Sequence, residues 1–360
     1  MRRISLLLIF LGSCGVGIAA EFPQPVEGKV VLKEFRFASG PILPELTMHY
    51  RTLGQPVRRA DGQVANAILI LHGTGGAGSN FVEGSGAEIF AGELFGKGQL
   101  LDATRYYIIL PDNIGHGKSS KPSDGLRAGF PRYGYEDMIR AQYLMLTEGL
   151  KVDHLRLVLG TSMGGMHSWL WGQRYPEYMD AVMPLASLPT QISGRNRMWR
   201  KVVVDAIRSD PEWKNGEYAT QPRGLRTAAQ MLSLMSGSAV TRQKAAPTLK
   251  SSDDLFEREV TRRLQSLDAN DLLYAVESSS DYDPGPGLEK IRAPLLAINF
   301  ADDLINPPEL EILEREVRRV SNGRAILLPA SEETVGHGTH TKARVWKSHL
   351  ESFLKQTDRR

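Results

Sequence analysis

Short apolar runs, each closed by turn residues, set the pattern of the chain. "GKVVLKEFRFASG" and "PELTMHYRTLG" predict two strands joined by a turn. A regular rhythm follows. "NAILIL" ends just before His72, "RYYIIL" just before Pro111 and "LRLVL" just before Gly160. "AVMPLA" comes next, and much later "PLLAINF" before Ala301 and "RAILLPA", which closes just before Ser331. Continuous apolar runs of this length suit strands buried on both faces, so they predict an α/β fold with a mostly parallel central sheet and helices on both faces. Polar, glycine-rich or acidic residues follow almost every run, and in open α/β sheets ligands bind at those carboxyl ends.

The rhythm stops between two of the strands. "NRMWRKVVVDAIRSD", "PRGLRTAAQMLSLMSGS", "SDDLFEREVTRRLQSL" and "DANDLLYAVESSSDY" predict helices, with Ser and Asp as N-caps. The expected organisation is a core over residues 21–186, a helical lid over 187–285 and the rest of the core over 286–360, with "DYDPGPG" as the linker that ends the lid. Met231, Leu232, Leu234 and Met235 in the lid either pack its helix on the sheet or line an acyl pocket.

Residues 1–20 follow a different pattern. Arg2 and Arg3 precede "ISLLLIFL", too short to span a bilayer, and "GSCGVGIAA" is rich in small residues. This is the form of a secretory signal peptide with cleavage after Ala20. "LGSC" also matches a bacterial lipobox, in which Cys14 would carry a lipid anchor. Cys14 is the only cysteine, so export brings no intrachain disulfide. The 360 residues carry a net charge of +3, with 44 basic and 41 acidic side chains interspersed. No basic stripe marks a nucleic-acid partner.

Candidate chemistry centres on "LVLGTSMGGMHSWLWG", where Gly160-Thr161-Ser162-Met163-Gly164 is G-x-S-x-G between a strand and a helix. A turn that tight admits only glycine at its flanks and exposes the serine hydroxyl above the sheet as a nucleophile. The hydroxyl needs a histidine base, and the histidine a carboxylate, in the chain order Ser, Asp/Glu, His. "INFADDLINPPEL" offers Asp302, which is preferred, or Asp303; the other caps the turn that follows. "PASEETVGHGTHTKARVW" offers His337, preferred for its flexible setting between two glycines, while His340 packs or caps near the last helix. The oxyanion hole falls to the backbone N–H groups of Met163 and of Thr74 in "LHGTGGAGSNF". His72 supports that loop. "PDNIGHGKSSKP", with Asp112, His116 and Lys118, is read as a fixed loop, with substrate contact the alternative. His154 and His349 are read as surface or helix residues.

The elbow "GTSMGGMHSW", with "MHYRTLGQ", "AIRSDPEWKNGEY", "PRGLRTAAQM", "ADDLINPPEL" and "GHGTH", resembles the α/β-hydrolase superfamily and, within it, the homoserine O-acetyltransferase family and its hydrolase-like relatives. The resemblance implies an α/β-hydrolase fold, a Ser–Asp–His triad and an acyl-enzyme. Its D-x-L-x-x-P segment places the acid on Asp302, and its G-H-D segment the base on His337. It also implies a candidate homodimer formed through the lid. Two family anchors are missing: the aspartate after the triad histidine is Gly338, and the lid arginine of G-L-x-x-A-R is Ala229, with Arg226 nearby. The expectation is a secreted or periplasmic serine hydrolase of a small-molecule carboxylic ester, without metal or organic cofactor. The alternatives are acyl transfer to an alcohol or amine and, more remotely, a non-catalytic binding protein.

Overall fold

The computed structural model describes residues 21–358. The expected signal peptide, its cleavage site after Ala20 and the lipidation site at Cys14 lie outside the described residues. Eight strands form one sheet: β1 (Val26–Arg36), β2 (Ile42–Leu53), β3 (Ala67–Leu71), β4 (Tyr107–Pro111), β5 (Leu157–Thr161), β6 (Val182–Leu185), β7 (Leu295–Phe300) and β8 (Gly323–Leu328). Their spatial order is β1-β2-β4-β3-β5-β6-β7-β8. The hairpin β1–β2 is antiparallel and joins β4 antiparallel, and every pairing from β4 to β8 is parallel.

Residue alternation in the central strands feeds two separate cores. Leu69, Leu71, Val158 and Val182 point to one face, against Met138, Trp169 and Trp171 of helices α2 (Tyr135–Leu144) and α3 (Met163–Arg174). Ile68, Ile70, Leu159 and Met183 point to the other, against Phe90 and against Trp346, Leu350 and Phe353 of the C-terminal helix α10 (Ala343–Gln356). Both sets are removed from water, at about 1.5–3 kcal/mol per large side chain, which explains why β3 to β7 read as unbroken apolar runs. Strand β8 departs from that expectation. It is the sheet's edge, and Leu327 on it is half exposed. Two short helices, α1 (Gly92–Leu94) and α9 (Ile312–Glu316), occupy connections at the periphery.

Between β6 and β7 stand α4 (Gly194–Arg208), α5 (Gly224–Ser236), α6 (Ala239–Ala245), α7 (Leu249–Leu264) and α8 (Ala269–Glu277). Asp268 caps α8 by accepting from the Asn270 and Asp271 N–H groups. Thr248, rather than the expected Ser or Asp, caps α7. These helices have a core of their own, built on Trp199, Val203, Ile207, Trp213, Leu225, Leu272 and Leu273. Met231, Leu232 and Met235 join that cluster instead of packing on the sheet, and Leu234 is exposed. Polar pins tie the helices to the core. Asp271 accepts from the Ser123 N–H and hydroxyl at 2.8 and 2.6 Å. Asp281 accepts from the first N–H groups of α2, at Tyr135 and Glu136, and so caps that helix from a distant segment.

Candidate active site

The turn from β5 into α3 is forced by what surrounds it. A Cβ on Gly160 would stand 1.9 Å from the Gly164 carbonyl oxygen, and one on Gly164 would stand 2.0 Å from that of Leu71. Only glycine allows this approach. Ser162 between them has φ +55° and ψ −113°, a conformation side chains rarely adopt, held by its N–H donating to Leu185 O at 2.9 Å. The bend lifts the Ser162 side chain off the sheet at the N-terminus of α3. Met163 is the first residue of that helix, so its N–H has no intrahelical acceptor. Gly73, at the end of β3, allows the Thr74 loop to approach: a Cβ there would lie 3.2 Å from Ser162 Cβ. Thr74 and Ser162 line the same two cavities.

Ser162 Oγ lies 2.7 Å from His337 Nε2, and His337 Nδ1 lies 2.8 Å from Asp303 Oδ2. A carboxylate can only accept, so Nδ1 carries the proton and Nε2 presents its lone pair to the serine hydroxyl. Asp303 is buried, and burial is the strongest influence on its carboxyl, acting to raise its pKa. The neighbouring His337 and the donors Ile305 N–H and Asn306 outweigh it and hold the group below the usual carboxylate range.

This corrects the expectation that Asp302 stands behind His337. Asp302 Oδ2 accepts from the Gly336 N–H at 2.9 Å and from the Thr334 hydroxyl at 3.0 Å, which fixes the loop that carries the histidine. The physical reason is the turn after β7: Asp303 Oδ1 accepts the N–H groups of Ile305 and Asn306, which folds that side chain inward. Asp303 therefore caps the turn and faces His337 at once, where the sequence reading divides those two roles between the aspartates.

The other candidates fall into supporting places. His340 is buried with its ring 5.1 Å from that of His337, and burial drives its pKa down to about 3. His72 Nδ1 bonds to Gly73 O, a pure acceptor, so Nε2 accepts the Asn113 N–H at 3.1 Å; the ring ties the Thr74 loop to the loop after β4. In that second loop Asp112 is fully buried and accepts from His49, Gly78 N–H and Lys118 N–H. His116 bonds back to Ile114 O. His154 is not a surface residue: it is buried and paired with Asp180 at 3.0 Å.

Two cavities meet at Ser162. One, of about 160 Å³, is roofed by the lid and lined by Trp199, Arg200, Leu232, Met235 and Arg263. The other, of about 340 Å³, runs past Phe81, Ile89, Phe90 and Gly338. Ala229 is buried away from both, and Arg226 points outward into an ion pair with Glu257. Arg226 therefore does not replace the missing lid arginine. Among the described residues no group of three or more His, Cys, Asp or Glu side chains could hold a metal ion.

The family described as the alpha/beta hydrolase fold matches residues 66–324. The chain belongs to the α/β-hydrolase family. Within it the protein is homoserine O-acetyltransferase-like. It is 30% identical over 331 residues to the homoserine O-acetyltransferase of Chlorobaculum parvum, a match covering 84% of this chain and 87% of that one. The α/β-hydrolase fold superposes on the crystal structure of homoserine O-acetyltransferase from Bacillus anthracis with a TM-score of 0.78 at 21% identity, covering 92% of this chain and 97% of that chain. It superposes equally on an acetylester hydrolase from Corynebacterium glutamicum, with a TM-score of 0.78 at 19% identity and coverage of 92% and 96%. At those identities the likeness is one of fold.

Proposed function

We propose that the protein is a serine hydrolase that cleaves a carboxylic ester through an acyl-enzyme. One observation carries the reading: the unbroken hydrogen-bond chain from Ser162 Oγ through His337 to buried Asp303. In this mechanism Ser162 Oγ attacks the acyl carbonyl while His337 Nε2 takes its proton. The carbonyl oxygen becomes an oxyanion held by the N–H groups of Met163 and Thr74. Collapse breaks the ester C–O bond, and His337 returns the proton to the departing alkoxide. Water, deprotonated by the same nitrogen, attacks the acyl-enzyme, releases the acid and restores the Ser162 hydroxyl. Asp303 orients the ring and stabilises its cationic form.

Hydrolysis is favoured over acetyl transfer to homoserine because Gly338 and Ala229 stand where the acetyltransferases carry their amino and carboxylate anchors, and Arg226 is engaged elsewhere. Export to the periplasm or beyond, inferred from the pattern of residues 1–20, agrees with this. Transfer to another alcohol or amine remains the second reading, supported by the 30% identity to a protein named as an acetyltransferase. A fluorophosphonate probe tests the common step: the wild type is expected to be labelled and Ser162→Ala not. Unlabelled wild type, or equal labelling of both, ends the proposal. Release of p-nitrophenol from p-nitrophenyl acetate without an added acceptor supports hydrolysis; release that requires an acceptor supports transfer.

A further inference from the structure

The cavity between the lid and Ser162 holds two guanidinium groups and no acid. Arg200, on α4, is buried at 2% exposure yet lines this cavity. Its Nε donates to Asn196 Oδ1 at 3.1 Å, one terminal nitrogen donates to Ser279 Oγ at 3.0 Å, and the Trp199 ring centre lies 4.7 Å from its Cζ. Arg263, on α7, lines the same cavity and donates to the hydroxyls of Ser233 and Ser236 at 2.8 and 3.0 Å. Among the described residues neither has a carboxylate in ion-pair contact. Glu259, the acid that acts on Arg263, is bonded to Arg242 at 2.9 Å. The Tyr135 hydroxyl lies beside Arg200, but burial raises its pKa, so it stays a neutral phenol.

A buried cation without a counter-charge is costly, because a charge removed from water loses its solvation and gains no partner in return. Nothing in the packing demands that cost here. The bonds to Asn196, Ser279, Ser233 and Ser236 are to neutral oxygens and call for N–H donors, not for a charge. What a guanidinium adds is a fixed positive fork suited to a carboxylate. The rest of the lining is uncharged apart from the His337 ring: Trp199, Met166, Leu232, Met235, Leu267 and Ile305 are apolar, and Ser236 and Ser266 add hydroxyls, so an anion placed there meets no repelling carboxylate.

We propose that the ester cleaved at Ser162 carries a second, ionised carboxylate, and that this group lies in the lid-side cavity lined by Arg200 and Arg263. The proposal rests on the hydrolase reading above and names its substrate class. These arginines are not the family's lid anchor: that position is Ala229, buried outside the cavity. The pair therefore sets a specificity of this chain's own.

The test compares kcat/KM for matched esters. On the acyl side, p-nitrophenyl hemisuccinate and hemiglutarate are set against p-nitrophenyl butyrate and pentanoate. On the alcohol side, O-acetylglycolate is set against methyl acetate. A preference for the charged ester of about tenfold or more in either pair is expected, the size of a hydrogen bond to a charged group. Arg200→Gln keeps an amide donor and removes the charge, so the charged-to-neutral ratio is expected to drop about tenfold, with Arg200→Lys restoring part of it. Arg263→Gln, at a less buried position, gives the same reading if Arg200→Gln does not fold. Succinate is expected to slow fluorophosphonate labelling of Ser162. Equal rates for charged and neutral esters in both pairs, or a ratio unmoved by both substitutions, overturns the proposal. Wild type that hydrolyses neutral esters without charge preference removes only this inference; wild type that is neither labelled nor active removes the hydrolase reading itself.

Discussion

Asp302 and Asp303 are neighbours in the chain with opposite surroundings, and substitution separates them. Asp303→Asn leaves the volume unchanged but offers His337 Nδ1 a neutral partner and no charge to stabilise its cation. On the hydrolase reading kcat is expected to fall by about 10⁴-fold, the effect of losing the carboxylate in a serine–histidine–aspartate arrangement. Asp302→Asn loosens the bonds to Gly336 and Thr334; its expected cost is about 1 kcal/mol of stability and less than tenfold in rate. Steady-state kinetics on both variants decide the matter, and a larger loss for Asp302→Asn contradicts the geometry. Ser162 and His337 were legible because a glycine-framed serine and a glycine-framed histidine announce themselves by local sterics. The choice of aspartate was not. Strand β7 is buried on both faces, so its apolar run carries no phase from which to project which of the next residues turns inward. Arg200 and Arg263 were not legible either, since each sits in an ordinary amphipathic helical stretch and becomes unusual only when the lid folds over the sheet.

A steric demand that side chains cannot relieve sits where α3 crosses the ends of β3 and β5. A methyl group on Gly164 would have to displace the Leu71 backbone, which no side-chain movement relieves. Gly164→Ala is expected to lower stability by about 1–3 kcal/mol, the usual penalty for overpacking, and to lose fluorophosphonate labelling more than its melting temperature alone explains. Native-like labelling of a folded Gly164→Ala protein would show that the turn relaxes freely. Most elements could be read from the chain: the two-sided burial of β3 to β7 left runs too apolar to mistake, and the lid helices showed their period. Two elements were only partly legible, for physical reasons. β8 has the composition of a central strand but lies at the edge, since nothing local encodes which strand comes last. For the α5 residues Met231, Leu232 and Met235 the sequence left sheet packing and a pocket lining both open, because an apolar stripe does not name its partner; they pack within the lid, and Leu232 and Met235 also line the cavity at Ser162.

Over the whole molecule, buried imidazoles tie stability to pH. Burial lowers the pKa of His116 and His340 to about 3 and shifts His72 and His167 the same way, from an ordinary value of 6.5. Unfolded, each binds a proton near pH 6.5; folded, it stays neutral. Between those values the unfolded chain holds more protons, so stability falls as the pH drops from 6.5 toward 3, by up to about 1.4 kcal/mol per pH unit for each group. Asp303, with its pKa lowered from 3.8, adds stability present above that value and lost as the pH falls through the lower, folded one. Denaturant melts at pH 7.5, 6.5 and 5.5 are expected to show a steepening loss, with a shallower slope for His116→Gln; a flat profile would contradict the burial of these rings. One last consequence follows from the two cavities that meet at Ser162. The hydroxyl stands in a doorway between two rooms, and on the hydrolase reading an ester threaded through it would keep one half in each. Once the bond at the threshold broke, the freed half could leave by its own side while the other stayed tethered, and whatever entered the vacated room, water or another hydroxyl, would inherit the reaction.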